Sequence, residues 1–270
     1  MVTVIIPGED EGRLGEAVRV LREAQHVAAL TGAGISVESG IPDFRSPGGV
    51  WTVFNPDEYA TLEVFRRNPA KAWRLYRALG RELAGKAPNA AHLALARLER
   101  AGRLDAVITQ NIDGLHQAAG SRRVLEVHGD CQNLQCLSCG SIEALREEHL
   151  HGDGAPACAR CGSPLKPNFV LFGEDVRAMR AIERVIASCD LLLVIGTSAQ
   201  VHPAASLPGQ VKAHGGGLME FNLGPTDLTR GRVGGWWGYG PGQRGPASDY
   251  LIQGPASLTV HLLVNAALAD

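Results

Sequence analysis

The 270 residues carry 26 Lys and Arg against 28 Asp and Glu, with 45% apolar and 20% charged positions. That is ordinary for a water-soluble globular chain, long enough to bury a full core as one large domain or as one domain with a smaller insertion. A net charge of −2 gives no general reason to expect nucleic-acid binding, and the longest apolar run, Leu191 to Ile195, is far short of a membrane span.

The opening, MVTVIIPGEDEGR, turns acidic within ten residues and does not read as a secretory leader. Cytoplasm is therefore the expected compartment, with the six cysteines as reduced thiols or metal ligands. Leu14, Ala17, Val18 and Leu21 recur at helical spacing and predict a first helix. Val27-Ala28-Ala29-Leu30 then reads as a buried strand that stops at Thr31-Gly32-Ala33-Gly34. Two glycines one residue apart let the backbone turn tightly and approach a ligand where a Cβ would obstruct it. A helix starting just after would aim its free N–H groups at the same spot. The third position of G-x-G-x-x-G is Val37, so the half-fingerprint fits a plain tight turn as well as a pyrophosphate cradle. Its tail, Ser39-Gly40-Ile41-Pro42-Asp43-Phe44-Arg45, brings a carboxylate, an aromatic ring and a guanidinium together.

Beyond the loop Ser46-Pro47-Gly48-Gly49, Asn55-Pro56 and Asn68-Pro69 mark helix starts, asparagine as cap and proline as first helical residue. The second helix carries Trp73, Tyr76, Leu79 and Leu83 on one face, and a third runs from about Asn89 to Arg100. Leu104 to Thr109 is a strand candidate running into Gln110-Asn111-Ile112-Asp113, and Val124 to Val127 is another, ending at His128-Gly129. Cys131 to about Pro164 has little apolar periodicity and would not hold a core without a metal. Asn168 to Phe172 resumes as a strand, followed by a helix at about Val176 to Ala187. Asp190 to Ile195 is a strand closing on Gly196-Thr197-Ser198, and Leu218 to Phe221 is a last inner strand ending at Asn222. Leu258 to Leu268 reads as a closing helix. Strands alternating with helices predict an α/β fold with a parallel sheet covered by helices, whose ligands sit beyond the carboxyl ends of the strands. Four polar strand tips cluster there: Gly32-Ala33-Gly34, Gln110 to Asp113, Gly196 to Ser198, and Asn222. Gly231 to Gly245, with glycine at about every second residue plus Trp236, Trp237 and Tyr239, reads as a surface loop whose aromatics could mark a contact surface.

Cys136-x-x-Cys139 and Cys158-x-x-Cys161, eighteen residues apart, have the spacing of two knuckles around one tetrahedral zinc. Four protein ligands leave no open position, so the metal is expected to be structural, with Cys131 and Cys189 left over. His128 suits proton abstraction near neutral pH, although a histidine after a strand is as readily a packed or capping residue. Asn111 and Asp113 fit a crevice or a turn equally well.

Taken together, GAGIS followed by SGIPDFR, Gln110-Asn111-Ile112-Asp113-Gly114-Leu115-His116, His128-Gly129, the four cysteines, Phe172-Gly173-Glu174, Gly196-Thr197-Ser198, Asn222 and Gly254-Pro255-Ala256-Ser257 resemble the sirtuins, NAD-dependent protein-lysine deacylases. The resemblance runs from about residue 14 to the end. It implies a Rossmann-like domain of residues 1–45, 88–130 and 166–270, with a smaller module made of a helical insertion, 46–87, and a structural zinc ribbon, 131–165. NAD as co-substrate and an acyl-lysine protein or peptide would meet between them. His128 would be the proton acceptor, with Asn111 and Asp113 holding the nicotinamide. Asp43, Phe44 and Arg45 would shape the pocket over it, and Gln110 and Ile112 would flank the ribose. Gly32, Ala33, Gly34 and Ser36 would receive the phosphates, and Gly196, Thr197, Ser198, Asn222, Leu223, Gly224 and Ala256 would line the adenosine side. Tyr76, Val170, Phe172 and Gly173 would bind the acyl-lysine segment, the last three by strand pairing.

The sequence departs from that family at three points. Members that remove succinyl and malonyl groups have Tyr-x-x-Arg on the acyl-pocket helix, whereas Leu79 follows Tyr76 here, and Arg77 and Arg81 sit about 100° and 140° around the helix from Tyr76. Phe169 and Leu171 replace the usual valine and tryptophan, and the 231–245 stretch is longer than usual. Removal of acetyl and other neutral acyl groups is expected, with desuccinylation weakened. The rival expectations are protein mono-ADP-ribosylation in the same pocket, a hydride-transferring dehydrogenase, and an NAD-sensing adaptor without catalysis.

Overall fold

Three apolar segments form the middle of the molecule. In the computed structural model, which describes residues 2–43, 49–176, 178–231 and 247–269, Val27–Thr31, Ala106–Thr109 and Leu191–Ile195 are strands buried along their whole length. A strand covered on both faces has no polar side to show, which is why each reads as a continuous apolar run.

Along the chain, β1 (Thr3–Ile5), α1 (Glu11–Glu23) and β2 (Val27–Thr31) come first. Four helices follow: α2 (Val50–Val53), α3 (Pro56–Tyr59), α4 (Leu62–Arg67) and α5 (Pro69–Leu83). The chain then returns through α6 (Ala90–Arg100), β3 (Ala106–Thr109), α7 (Leu115–Ala118) and β4 (Val124–Glu126). A second excursion holds β5 (Gly129–Cys136), β6 (Ile142–Ala144) and β7 (Leu165–Phe169). The last part is α8 (Met179–Ser188), β8 (Leu191–Ile195), α9 (Leu207–Ala213), β9 (Gly217–Asn222), α10 (Asp227–Arg230), β10 (Tyr250–Gln253) and α11 (Ala256–Leu268). The predicted helix starts are real caps: the Asn55, Asn68 and Asn89 side chains accept from the Asp57, Lys71 and Ala91 N–H groups at 2.9–3.0 Å.

The larger sheet has the order β1-β10-β9-β8-β2-β3-β4 and every pairing in it is parallel. Alternation along β2 sends Val27 and Ala29 to one core, with Leu21, Leu95, Leu98 and Leu263 from α1, α6 and α11. Ala28 and Leu30 go to the other, with Ile182, Val185, Leu207 and Val211 from α8 and α9. The smaller sheet, β6-β5-β7, is antiparallel. It shares a third core with α4 and α5, in which Phe65, Trp73 and Tyr76 meet Leu134, Leu165 and Phe169. The Trp73 indole N–H donates to the Leu165 carbonyl at 2.7 Å. The two excursions, distant in the chain, thus pack as one unit.

Two strands of the larger sheet escaped the sequence reading. β1 and β10 are three and four residues long and lie at the β9 side of the sheet, so β9 is not its last inner strand. The strand expected at Asn168–Phe172 overlaps β7 only at Asn168 and Phe169: β7 runs from Leu165 to Phe169 and belongs to the smaller sheet. Lys166 and Pro167 hid its beginning. Cys131 to Pro164 carries more strand than its weak periodicity suggested. Of the glycine-rich 231–245 stretch, all but Gly231 lies outside the described residues. Among those residues no helix is long and apolar enough to cross a membrane.

Trp73 is fully buried and joins the helical excursion to the smaller sheet. Trp73→Ala is expected to cost about 3–5 kcal/mol in chemical denaturation, with Trp73→Phe losing less.

Candidate active site

In a parallel sheet every strand delivers its carboxyl end to the same edge, and here those ends frame a cavity of about 740 Å³. The loops leaving the neighbours β2 and β8 touch backbone to backbone: Gly32 N–H donates to Ile195 O at 3.0 Å and Gly34 N–H to Gly196 O at 2.8 Å. A Cβ on Gly34 would stand 2.7 Å from Gly196 Cα, and one on Gly196, whose φ is +59°, would stand 2.4 Å from Ile35 N. Only glycines let these loops meet and leave the cleft open. The helix expected after Gly34 is a 3-10 turn, Ala33–Ser39.

From the first loop, Gly32, Ala33, Gly34 and Asp43 line the cleft. After β3 come Gln110, Asn111 and Ile112, and after β4 comes His128. Gly196, Thr197 and Ser198, then Asn222, Leu223 and Gly224, and finally Ala256 complete one side, while Val170, Phe172 and Gly173 form the other. Seven separate stretches of the chain are thereby brought to one site.

Ser36 and Asp113 stand directly behind the lining. The Ser36 hydroxyl donates to Asp113 Oδ2 at 2.7 Å, and the Asn111 amide donates to Ser36 Oγ at 3.2 Å and Gly32 O at 3.1 Å. Ser36 is 1% exposed, and its hydroxyl braces Asp113 and Asn111. Tyr76 also departs from expectation. It is 2% exposed, packs edge-on against Trp73 and Phe169, and is not among the residues lining the cleft. Leu75 and Leu79, on either side of it along α5, line the cleft instead. Strand pairing is open at Gly173 and at the Val170 carbonyl; the Val170 N–H donates to His128 O at 2.8 Å, and the N–H and carbonyl of Phe172 are engaged by Ala60 O and Leu62 N. The Phe172 side chain is 55% exposed and is what that residue offers. Phe44 and Arg45 lie outside the described residues.

His128 is half-buried, and its Nδ1 lies 2.8 Å from the Gln110 carbonyl. A carbonyl only accepts, so Nδ1 carries the proton and Nε2 keeps its lone pair. Burial lowers the pKa of this ring, against an opposing pull from the Gln110 carbonyl. The ring is therefore a neutral base at pH 7. Gln110 is itself fixed by Nε2–H donation to Thr197 Oγ1 at 2.9 Å.

The loop carrying Val170 to Gly173 is held by a buried ion pair. Lys166 Nζ lies 3.0 Å from Glu174 Oε2 and donates to the Phe169 and Pro167 carbonyls, while Leu171 N–H donates to the same carboxylate oxygen at 2.8 Å. Sequence reasoning gave Lys166 no role. Val37, Glu38, Ala60, Leu75, Leu79, Val201, His202 and Thr226 also line the cleft and were missed. For Leu75 and Leu79 the i,i+4 spacing on α5 was a usable signal; for the others there was none.

The four sulfur atoms of Cys136, Cys139, Cys158 and Cys161 lie within 4.8 Å of one another, with Cys136–Cys161 at 3.5 Å and Cys139–Cys158 at 3.7 Å. Ligands about 2.3 Å from a tetrahedral zinc stand about 3.8 Å apart. The set fits a closed, structural zinc. Cys131 and Cys189 are outside it.

Fold and site define a dinucleotide-binding α/β protein with a zinc ribbon built on its smaller sheet. A profile of the Sir2 family matches residues 32–203. The chain is 42% identical over 250 residues to an NAD-dependent protein deacylase of Thermococcus kodakarensis, covering 90% of this chain and 91% of that one. It superposes on a Sir2 homolog–NAD complex with a TM-score of 0.84 at 36% identity, covering 99% and 96% of the two chains. A Sir2–p53 peptide–NAD+ complex superposes with a TM-score of 0.79 at 31% identity, covering 93% and 97%. The chain belongs to the Sir2 family, the sirtuins.

Two outcomes are expected. Gly34→Ala should abolish measurable NAD binding by calorimetry, because its Cβ would meet backbone. The acid limb of the rate profile, where the base becomes protonated, should lie below the ordinary histidine value of about 6.5, since the pKa of His128 is lowered.

Proposed function

We propose that the chain removes acetyl and other neutral acyl groups from protein lysines with NAD as co-substrate, giving nicotinamide, O-acyl-ADP-ribose and free lysine. The observation that carries this reading is the tautomer of His128: Nδ1–H is tied to Gln110 O, and Nε2 is a free base on a residue lining the cleft. In this reading the acyl oxygen attacks the nicotinamide-ribose carbon and nicotinamide leaves. His128 then takes the proton of a ribose hydroxyl, the alkoxide attacks the acyl carbon, and addition of one water expels the lysine amine and leaves the acyl group on the ribose. Asn111, braced by Gly32 O and Ser36, and Asp113, braced by Ser36, would hold the departing ring. Gly32, Ala33 and Gly34 would receive the phosphates, and Thr197, Asn222 and Ala256 the adenosine. Gly173 and the carbonyl of Val170 would pair with the peptide backbone.

The acyl group would point toward Ala60, Leu75, Leu79, Phe169 and Leu171, an apolar lining. Neither nearby arginine serves that end. Arg77 is bonded to the Gly154 carbonyl and Arg81 to the Leu150 carbonyl, both on the turn beyond β6. A succinyl carboxylate would go without the charge-assisted bonds worth about 1.5–3 kcal/mol.

We further propose that residues 1–45, 88–130 and 166–270 form the NAD-binding domain and that 46–87 and 131–165 form the smaller module. The shared core of α5 and the smaller sheet supports this division, although β7 adds residues 165–169 to the smaller sheet. Reduced zinc-binding thiols are in keeping with a cytoplasmic location. Neither nucleic acid nor a membrane surface has a part in this reading.

The decisive measurement is nicotinamide release over a panel of acyl-lysine peptides. Acetyl peptide should exceed succinyl peptide in kcat/KM by about tenfold or more, Leu79→Arg should narrow that gap, and His128→Ala should abolish deacylation. Label from NAD accumulating in protein instead of in O-acyl-ADP-ribose would favour mono-ADP-ribosylation.

A further inference from the structure

A fully buried carboxylate takes no part in the reaction as read above. Glu220 of β9 is 0% exposed, and among the described residues no cation pairs with it. Neutral donors satisfy it instead. Asn222 Nδ2–H and the Thr226 hydroxyl donate to Oε1 at 3.1 and 2.6 Å. The Ser248 hydroxyl donates to Oε2 at 2.9 Å, and Thr229 Oγ1 lies 3.3 Å from the same oxygen. Burying a carboxylate is costly without such partners. They come from the tip of β9, from α10 and its cap, and from the approach to β10, so the carboxylate is pinned from several sides.

What this fixes is the side chain of Asn222. Residues 220 and 222 point to the same face of the strand, and Asn222 lines the cleft. Its Nδ2 donates to Glu220 Oε1 and to the Thr197 carbonyl, each at 3.1 Å. Both partners accept, so both amide hydrogens are used, and turning the amide over would set oxygen against oxygen at each. Oδ1 is the polar atom left over, with no donor to it among the described residues.

β9 follows and pairs with β8, whose loop carries Gly196. In dinucleotide-binding sheets an acceptor at the end of the strand after the glycine turn takes the ribose 2′-hydroxyl. We propose that Glu220 is a positioning residue that holds Asn222 with only Oδ1 toward the cleft, so that the site takes the adenosine 2′-hydroxyl there and excludes a 2′-phosphate. The hydroxyl donates to Oδ1, whereas a phosphate brings acceptor oxygens and negative charge against it. Among the described residues no lysine or arginine lines the cleft to receive that charge.

The identity of the ligand rests on the deacylase reading; the orientation of the amide does not. In 1H–15N NMR of the free protein, the Asn222 side-chain NH2 pair is identified by its absence in Asn222→Ala. It should move in Glu220→Met and stay near its native position in Glu220→Gln, whose Oε1 still accepts. A pair indifferent to Glu220→Met would overturn the orientation whether or not NAD binds. In the native protein, an NAD analogue without the adenosine 2′-hydroxyl should bind about tenfold more weakly by calorimetry; equal binding would refute the hydroxyl contact. Glu220→Met should raise Kd for NAD about tenfold and narrow the preference for NAD over NADP by a similar factor, with Glu220→Gln within about twofold of native. The kinetic loss should appear in KM for NAD, with kcat within about twofold. Glu220→Met combined with Asn222→Ala should bind NAD no more weakly than Asn222→Ala alone. Losses that multiply, or an unchanged preference in folded Glu220→Met, would refute the role.

Discussion

The backbone contact between Gly34 and Gly196 is the constraint on which the site depends. β2 and β8 are hydrogen-bonded neighbours, so their loops emerge side by side and must either collide or interlock. The Gly34 N–H to Gly196 O bond makes them interlock, and the missing Cβ atoms leave room for a ligand backbone-to-phosphate. Everything nearby is hung from that join. Asn111 donates to Gly32 O, Gln110 to Thr197 Oγ1, and the Asn222 amide to Thr197 O. The polar tips of β3 and β9 thus take their orientation from the β2 and β8 loops, and His128 takes its own from Gln110.

The opposite wall of the cleft is built differently. It has no place in the larger sheet and relies on the Trp73–Tyr76–Phe169 packing, on the cysteine tetrahedron, and on Lys166 with Glu174. A fully buried lysine is tolerated because its ammonium meets a carboxylate and two carbonyls, which satisfies all three donors. The result is a rigid turn that carries Val170, Phe172 and Gly173 to the cleft. Two independently braced walls face one another across the cleft.

Much of the first wall was legible in the sequence because parallel strands are continuous apolar runs and their ends are abruptly polar. The Gly32, Gln110, Gly196 and Asn222 tips all line the cleft. Asparagine caps and the two cysteine knuckles were equally readable, since each is a local chemical requirement at fixed spacing. The edges were not. β1 and β10 are short and gain their identity only by pairing. Tyr76 shows the same limit: spacing puts it on the buried face of α5, but only the fold decides that Leu75 and Leu79 reach the cleft while Tyr76 packs behind Phe169. Ser36 reads as a phosphate ligand by position, yet its hydroxyl is spent on Asp113.

Three histidines share one cause and divide by one detail. Burial lowers the pKa of His92, His116 and His128 alike. His92 and His116 are sealed from solvent, so their unclaimed nitrogens face only protein, whereas His128 is half-buried and lines the cleft with Nε2 unclaimed. Only an unclaimed nitrogen in reach of a ligand can act as a base. The same burial has a thermodynamic side. A histidine whose folded pKa lies below its unfolded value leaves the fold undisturbed above about pH 6.5. As the pH falls from there toward about 4 for His92 and about 3 for His116, the unfolded chain binds protons that the folded one refuses, and stability is lost. The neutrality of these rings behind the cleft is thus secured at the expense of acid tolerance, and His128, being less buried, contributes to that loss while still lining the cleft.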